Sequence, residues 1–253
     1  MRRFLGILVL LGSVLASMAP RSAAAQATPL AAPNAATGDF AGLVDIGDGR
    51  RLWLECRGSG GPTVILEAGY RTPAAVWTDD LVQPERPRTM VLPGVARFTR
   101  VCAYERPGVT TVVDGEVRPS RSDSVPMPRT AERVVADLHA LLRIAGVPGP
   151  YVLVGHSFGG LLVRLYAATY PDEVAGMVLV DAASEEIEAT LTPAQLAGFL
   201  AANAVDPPEV ASFADYETID FGAGFATMAA AEAARPLPPL PLVVLARGRP
   251  YGL

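Results

Sequence analysis

Seven short runs along the chain are either apolar on both faces or alternate apolar with polar positions, and most are separated by longer amphipathic stretches. The first two, GLVDIG at 42–47 and RRLWLEC at 50–56, flank Asp48-Gly49, a pair suited to the positive φ angles of a tight hairpin turn. The others are TVILEAG (63–69), RVCAYE (100–105), YVLVG (151–155), GMVLVDA (176–182) and PLVVLARG (241–248). Runs that are apolar at consecutive positions are buried on both sides, as in a parallel sheet covered by helices. Between them, TAERVVADLHALLRIAG (130–146) sets Val134, Leu138, Leu141 and Ala145 on one stripe, with Thr130 as N-cap and Gly146 as stop. GLLVRLYAATYP (160–171) reads as a helix ended by Pro171. A hairpin followed by alternating strands and helices predicts the α/β class, with no internal repeat.

Two inserts break the alternation. Residues 109–129 read as a polar, proline-containing loop. Residues 184–241 hold TPAQLAGFLAANA (192–204), with Thr192 as N-cap and Pro193 at the first helical position, and an alanine-rich helix near FATMAAAEAA (225–234). A helical insert of this kind reads as a lid.

Composition narrows the function. With 253 residues, half of them hydrophobic, the chain can bury the core of one domain. The balance of 21 basic against 26 acidic residues, a net of -5, argues against a nucleic-acid partner. Every basic residue is arginine, which reads as coding bias. Residues 184–234 carry nine carboxylates and no arginine. Such a face repels an anionic substrate and suits a neutral or cationic one, unless it is simply a solvated surface. The two histidines and two cysteines show no ligand spacing and no glycine-rich phosphate loop is present, so neither a metal nor another cofactor is expected.

The N-terminus reads as an export signal over residues 1–25: Met1-Arg-Arg3 is cationic, Phe4 to Leu15 is apolar, and Ala23-Ala24-Ala25 offers a cleavage site. The rival reading is an uncleaved anchor, but Gly12, Ser13 and Ser17 interrupt a run shorter than the roughly 20 residues a span prefers. The arginine pair also admits twin-arginine export. Residues 26–42 then form a flexible leader and 43–253 the domain, giving a secreted or periplasmic protein with no stable span after cleavage.

The candidate chemistry lies in Gly155-His-Ser-Phe-Gly159, a G-x-S-x-G sequence between a predicted buried strand and a predicted helix. In that setting Ser157 stands at a strained turn as a nucleophile. Gly155 and Gly159 flank it because side chains there would collide with neighbouring elements, and Gly160 eases the same packing. The helix N-terminus directs N–H groups at the place where an oxyanion would form.

On these residues, from about residue 43 onward, the chain resembles the serine α/β-hydrolase superfamily in its branch of exported bacterial esterase-like proteins. EAGYRTPAAVW (67–77) lies where that family has its oxyanion loop after the third strand, and CAYERPG (102–108) resembles its Tyr-Asp-Arg-x-Gly after the fourth. Glu67-Ala68-Gly69 replaces the usual approach to the loop, and Glu105 replaces the aspartate. The resemblance implies a mostly parallel sheet with helices on both faces and a lid between the sixth and seventh of these strands. It implies an oxyanion hole from the backbone N–H groups of Phe158 and Tyr70, with Gly69 as the competing donor for the second. Glu105 and Arg106 are then a structural ion pair. The implied strand order sets the second strand beside the fourth, which favours a Cys56–Cys102 disulfide over two buried thiols.

The implied activity is hydrolysis of a carboxylic ester, thioester or lactone of neutral or apolar character through an acyl-Ser157 intermediate. Acyl transfer, iminopeptidase-type amide cleavage and cofactor-free haloperoxidase chemistry share the same turn. A non-catalytic binding protein would keep the fold without the chemistry. The family carries its histidine after an eighth strand, whereas this chain holds only His139 and His156, both before the serine. His139 is expected on the sheet-packing helix and His156 is expected to point away from Ser157. Asp181 is a candidate acid, with a structural role as the alternative. The expectation is a C-terminally truncated hydrolase lacking strand eight and the final helix. Such a chain would be nearly inactive and would leave PLVVLA as an open sheet edge.

Overall fold

The computed structural model describes residues 35, 37–113, 115–237 and 239–248. The expected export signal, and the expected leader through residue 34, lie outside the described residues. The strands are β1 (Phe40–Gly47), β2 (Arg50–Arg57), β3 (Thr63–Glu67), β4 (Val101–Glu105), β5 (Thr110–Val113), β6 (Glu116–Pro119), β7 (Tyr151–His156), β8 (Val174–Val180) and β9 (Leu242–Leu245). The helices are α1 (Val91–Val95), α2 (Ala131–Ile144), α3 (Phe158–Thr169), α4 (Ile187–Thr190), α5 (Pro193–Ala204) and α6 (Phe221–Ala234).

Seven strands form one sheet in the order β1-β2-β4-β3-β7-β8-β9. The hairpin β1–β2 joins antiparallel to β4, and every pairing from β4 through β3, β7 and β8 to β9 is parallel. Asp48 and Gly49 take φ of 55° and 71°, the two positive angles a type I′ turn requires. The pleat sends alternate residues to opposite faces. Ile65, Cys102 and Leu153 enter a core built with α2, α3 and α6, while Val64, Leu66, Val101, Ala103 and Val154 enter a second core. That second core is closed by Leu92 of α1 and by Trp77 of a short 3-10 turn (Ala74–Trp77). Thr130 caps α2 through a bond from the Arg133 N–H, and Gly146 follows its end at φ 67°. Cys56 and Cys102 face each other across β2 and β4 and are joined as a disulfide.

Two expectations need correction. Residues 109–129 are not loop throughout, because Thr110-Thr-Val-Val113 is β-branched at every position and pairs with β6 in a separate two-stranded sheet. The leader also ends earlier than residue 42. β1 begins at Phe40, Ala35 is buried with its N–H on the Ala145 carbonyl, and buried Arg100 donates to the carbonyls of Ala35, Gly38 and Gly58.

Candidate active site

Ser157 stands alone between the last residue of β7 and the first of α3, at φ 52° and ψ −123°. A non-glycine residue holds such angles only where its surroundings enforce them. Here the Ser157 N–H donates to the Val180 carbonyl at 3.0 Å, and its carbonyl accepts from Gly160 at 2.9 Å and Ala183 at 2.8 Å. The side chain is half-buried. The flanking glycines are a steric requirement. A Cβ on Gly155 would lie 2.5 Å from the Gly159 carbonyl oxygen, and one on Gly159 would lie 2.5 Å from the Glu67 carbonyl oxygen. On Gly160 it would meet the Ala182 Cβ at 2.2 Å.

The loop after β3 borders this turn, since a Cβ on Gly69 would stand 3.3 Å from that of Ser157. Tyr70 follows, its ring edge-on to Phe158 at 6.4 Å and to Phe221 at 4.8 Å. Phe158 opens α3, where the first N–H groups have no partner within the helix. Neither the Phe158 nor the Tyr70 N–H meets a backbone or side-chain acceptor among the described residues. Two amides beside one strained hydroxyl form an arrangement able to receive negative charge.

Beneath the loop lies a charge cluster that the sequence did not disclose. Arg106, 2% exposed, bonds Glu67 at 2.6 Å and Glu217 at 2.6 Å, and both carboxylates are buried. Its guanidinium also donates to the carbonyls of Ala68 at 2.9 Å and Gly69 at 2.5 Å. Burial opposes the charge on Arg106, but the two carboxylates outweigh it and raise its pKa. Burial raises the Glu67 carboxyl, which Arg106 and the Tyr104 hydroxyl hold back only in part. The expected Glu105–Arg106 pair is therefore wrong. Successive side chains of a strand point to opposite faces. Glu105 instead pairs with Arg121 at 2.6 Å, on the side away from Glu67. Nothing in the sequence singled out Glu217 among the nine carboxylates of the insert.

Neither histidine is hydrogen-bonded to Ser157 among the described residues. His139 stacks on Tyr170 at 3.8 Å, and its Nε2 lies 3.1 Å from Glu173, just ahead of β8. That is the opposite end of the parallel strands from Ser157. His156 ends β7 and lies beside the oxyanion loop, its Nδ1 3.1 Å from where a Gly69 Cβ would be. Burial lowers its pKa. Asp181, at φ 42°, follows β8 and accepts from the Arg247 N–H at 2.7 Å and its Nε at 3.3 Å. These bonds lower its pKa and engage both carboxylate oxygens. Among the described residues Ser157 Oγ has no hydrogen-bond partner, and no group of three or more His, Cys, Asp or Glu could hold a metal.

A cavity of about 530 Å³ adjoins Tyr70 beneath the insert, lined by Leu200, Asn203, Ile219 and Phe221 among others. A larger one of about 740 Å³ lies between residues 78–90 and β5 and touches none of the candidate residues. The insert's acidity is partly neutralised. Glu185 bonds Arg164 at 2.5 Å, Asp206 bonds Arg71 at 2.5 Å, and Glu217 is matched by Arg106.

Comparison with known proteins gives the same family. The uncharacterized protein YqjL of Bacillus subtilis is 32% identical over 127 residues, covering 50% of this chain and 42% of that protein. Lipase LipV of Mycobacterium tuberculosis is 50% identical over 56 residues, 22% of this chain and 21% of that one. The crystal structure of Cfl2 from Burkholderia cenocepacia superposes with a TM-score of 0.50 at 25% identity, covering 73% of this chain and 59% of that one. The chain spans between 19% and 42% of the length of the first curated relatives it matches. The profile of the alpha/beta hydrolase fold matches residues 100–240, more than half of the sequence, and the chain belongs to that family.

Proposed function

We propose that Ser157 is the nucleophile of an ester-cleaving serine hydrolase acting on a neutral or apolar carboxylic ester, thioester or lactone. Its strained turn, next to the open N–H groups of Phe158 and Tyr70, carries the reading. Ser157 Oγ attacks the substrate carbonyl carbon, and the carbonyl oxygen takes the charge and is held by the two amides. Collapse expels the alcohol, thiol or ring oxygen and leaves an acyl-Ser157, which water then hydrolyses. Leu200, Ile219 and Phe221 give the cavity beside Tyr70 an apolar side, with Arg71, Asp206 and Asp220 also on its wall, and residues 184–241 act as its lid.

Among the described residues no side chain is hydrogen-bonded to Ser157 Oγ to receive its proton. Losing the histidine of a triad costs on the order of 10⁶ in turnover, with about 10³–10⁴ over water remaining from the oxyanion hole and binding. On this reading the described residues alone would cleave esters slowly. Added imidazole should act as an external base and accelerate p-nitrophenyl ester cleavage by the wild type beyond its effect on Ser157→Ala, with the acyl group found on Ser157 by mass spectrometry. Equal rates in the two proteins, with no acylated peptide, would reject the nucleophile.

The second reading is a binding protein that keeps the fold without turnover, and the unpartnered Ser157 Oγ favours it. It predicts saturable ester binding with no acyl-enzyme under any added base. The Cys56–Cys102 bridge supports a further proposal, export to an oxidising compartment, outside the cell or in the periplasm. Fractionation of cells expressing the full chain tests it, and protein retained in the cytoplasm with reduced cysteines would count against it.

A further inference from the structure

We propose that Glu217, with Arg106, is a positioning residue that sets the direction of the Tyr70 N–H, so that the oxyanion hole is complete only while residues 205–217 of the insert are seated. This rests on the reading of Ser157 given above.

The peptide unit between Gly69 and Tyr70 is trans and planar, so its carbonyl and its N–H point in opposite directions. Arg106 holds that carbonyl at 2.5 Å and the preceding one, of Ala68, at 2.9 Å. With the oxygen fixed toward Arg106, the Tyr70 hydrogen is turned away from it. The next amide is taken, since the Arg71 N–H donates to Glu217 Oε2 at 2.6 Å. The Gly69 carbonyl also accepts from the Thr72 N–H at 3.2 Å, so a turn within the loop shares the task. The loop therefore offers one N–H and withholds its neighbour, and Arg106 and Glu217 make that selection together with the Thr72 turn.

Arg106 is aimed by Glu217 as much as by Glu67. Its Nε meets Glu217 Oε1 at 2.6 Å and one terminal nitrogen meets Oε2 at 3.0 Å, while the other meets Glu67 at 2.6 Å. Glu67 belongs to β3 and is fixed by the sheet, whereas Glu217 arrives from the insert, between α5 and α6. Its seat is a close backbone approach: the Glu217 N–H donates to the Gly108 carbonyl at 2.8 Å, and a Cβ on Gly108 would lie 2.3 Å from the Asp215 carbonyl oxygen.

Arg71 ties the same segment from above. At φ 56° it projects between the rings of Tyr70 and Tyr216, 4.8 and 4.2 Å from their centres. It donates to the carbonyls of Val205 and Glu217 and to Asp206. Val205, Asp206, Tyr216 and Glu217 of the insert thus all grip Arg71. If the insert lifts, Arg106 loses one of its two carboxylates and the Arg71 N–H is released.

The test uses the full chain as wild type, Glu217→Gln and Arg71→Met. Gln keeps the shape of Glu217 but removes its charge. Arg71→Met removes the outer ties and leaves the buried Arg106 cluster intact, so it stays informative if the first variant folds poorly. Each is labelled at Ser157 with a neutral p-nitrophenyl alkylphosphonate, and backbone hydrogen exchange is followed at residues 68–72, at 205–217 and in β3 and β4. The expected result is a maximal labelling rate at least about tenfold lower, with the half-saturating phosphonate concentration little changed. Exchange should quicken at 68–72 and 205–217 together, with β3 and β4 still protected. Unchanged labelling and loop exchange in both variants would overturn the proposal, as would quicker exchange at 205–217 with residues 68–72 unaffected. A wild type that is never labelled, with the exchange changes still present, would keep the latch and remove the assignment of Ser157.

Discussion

Gly69 and Gly159 both flank Ser157, yet they answer to different constraints, and substitution separates them. A methyl on Gly159 would press on the Glu67 and Ala68 carbonyl oxygens at 2.5 and 2.6 Å, backbone atoms at the end of a central strand that cannot yield. Gly159→Ala should cost about 2–3 kcal/mol, read from urea unfolding. A methyl on Gly69 would meet side-chain atoms of His156, Ser157 and Thr72 at 3.1–3.4 Å, of which the His156 ring and the Thr72 hydroxyl can shift by a few tenths of an ångström. Gly69→Ala should fold with nearly the wild-type midpoint. It should still lose about tenfold or more in the phosphonate labelling rate, because the methyl crowds the space beside the nucleophile. Equal stability losses in the two variants would show that the distinction between backbone and side-chain neighbours is misplaced. The elbow was legible in the sequence because its glycines are fixed by local sterics. Glu217 was not, because a long-range partner leaves no trace in local spacing, and Arg106 was assigned the wrong carboxylate by mere adjacency.

At the scale of elements, the constraints are the cross-link between β2 and β4 and the ion pair on α3. Cys56 and Cys102 lie 46 residues apart, and closing a loop of that length stabilises by about 4 kcal/mol in the chain-entropy model. The double variant Cys56→Ala/Cys102→Ala should lose about that much in denaturant unfolding. A loss near zero would mean that the reduced chain is already held by the sheet. Arg164 of α3 bonds Glu185, and weakly Glu232, at the start of the insert and on α6. Burial would raise the Glu185 carboxyl, but the bonds from Arg164 prevail and bring it down to about 2, from an ordinary 4.5. Glu232 moves the other way through its hydrogen bond with Glu185. A depressed carboxylate binds fewer protons folded than unfolded, so its contribution is complete above the ordinary value and is lost as pH falls from about 5 to 2. Glu185→Gln should flatten stability against pH in that window, measured as unfolding midpoints in matched buffers. An unchanged slope would place the acid sensitivity elsewhere. Helices with a cap and a stripe were readable, as α2 shows. The hairpin β5–β6 was hidden by the prolines and charges around a four-residue β-branched run.

Over the whole molecule, strand order is what the runs alone could not give, since consecutive apolar segments say that a strand is buried without saying beside which neighbour. The resemblance supplied the order, and with it the pairing of β2 and β4. Among the described residues the same order leaves β9 at one edge of the sheet, bonded to β8 only. Leu242, Val243, Val244 and Leu245 are between 51% and 63% exposed. Four consecutive apolar residues on a parallel edge, without charge, proline or bulge, present both open backbone groups and apolar side chains to another copy. The chain as it stands should therefore self-associate as concentration rises. Val244→Lys should suppress this by placing a charge in the middle of the edge while leaving the β8 pairing intact, because lysine's stem can lie along the sheet with its ammonium in water. Sedimentation velocity over a concentration series distinguishes the outcomes. A wild type that stays monomeric at high micromolar concentration, or a lysine variant that associates equally, would show that β9 is not the adhesive edge.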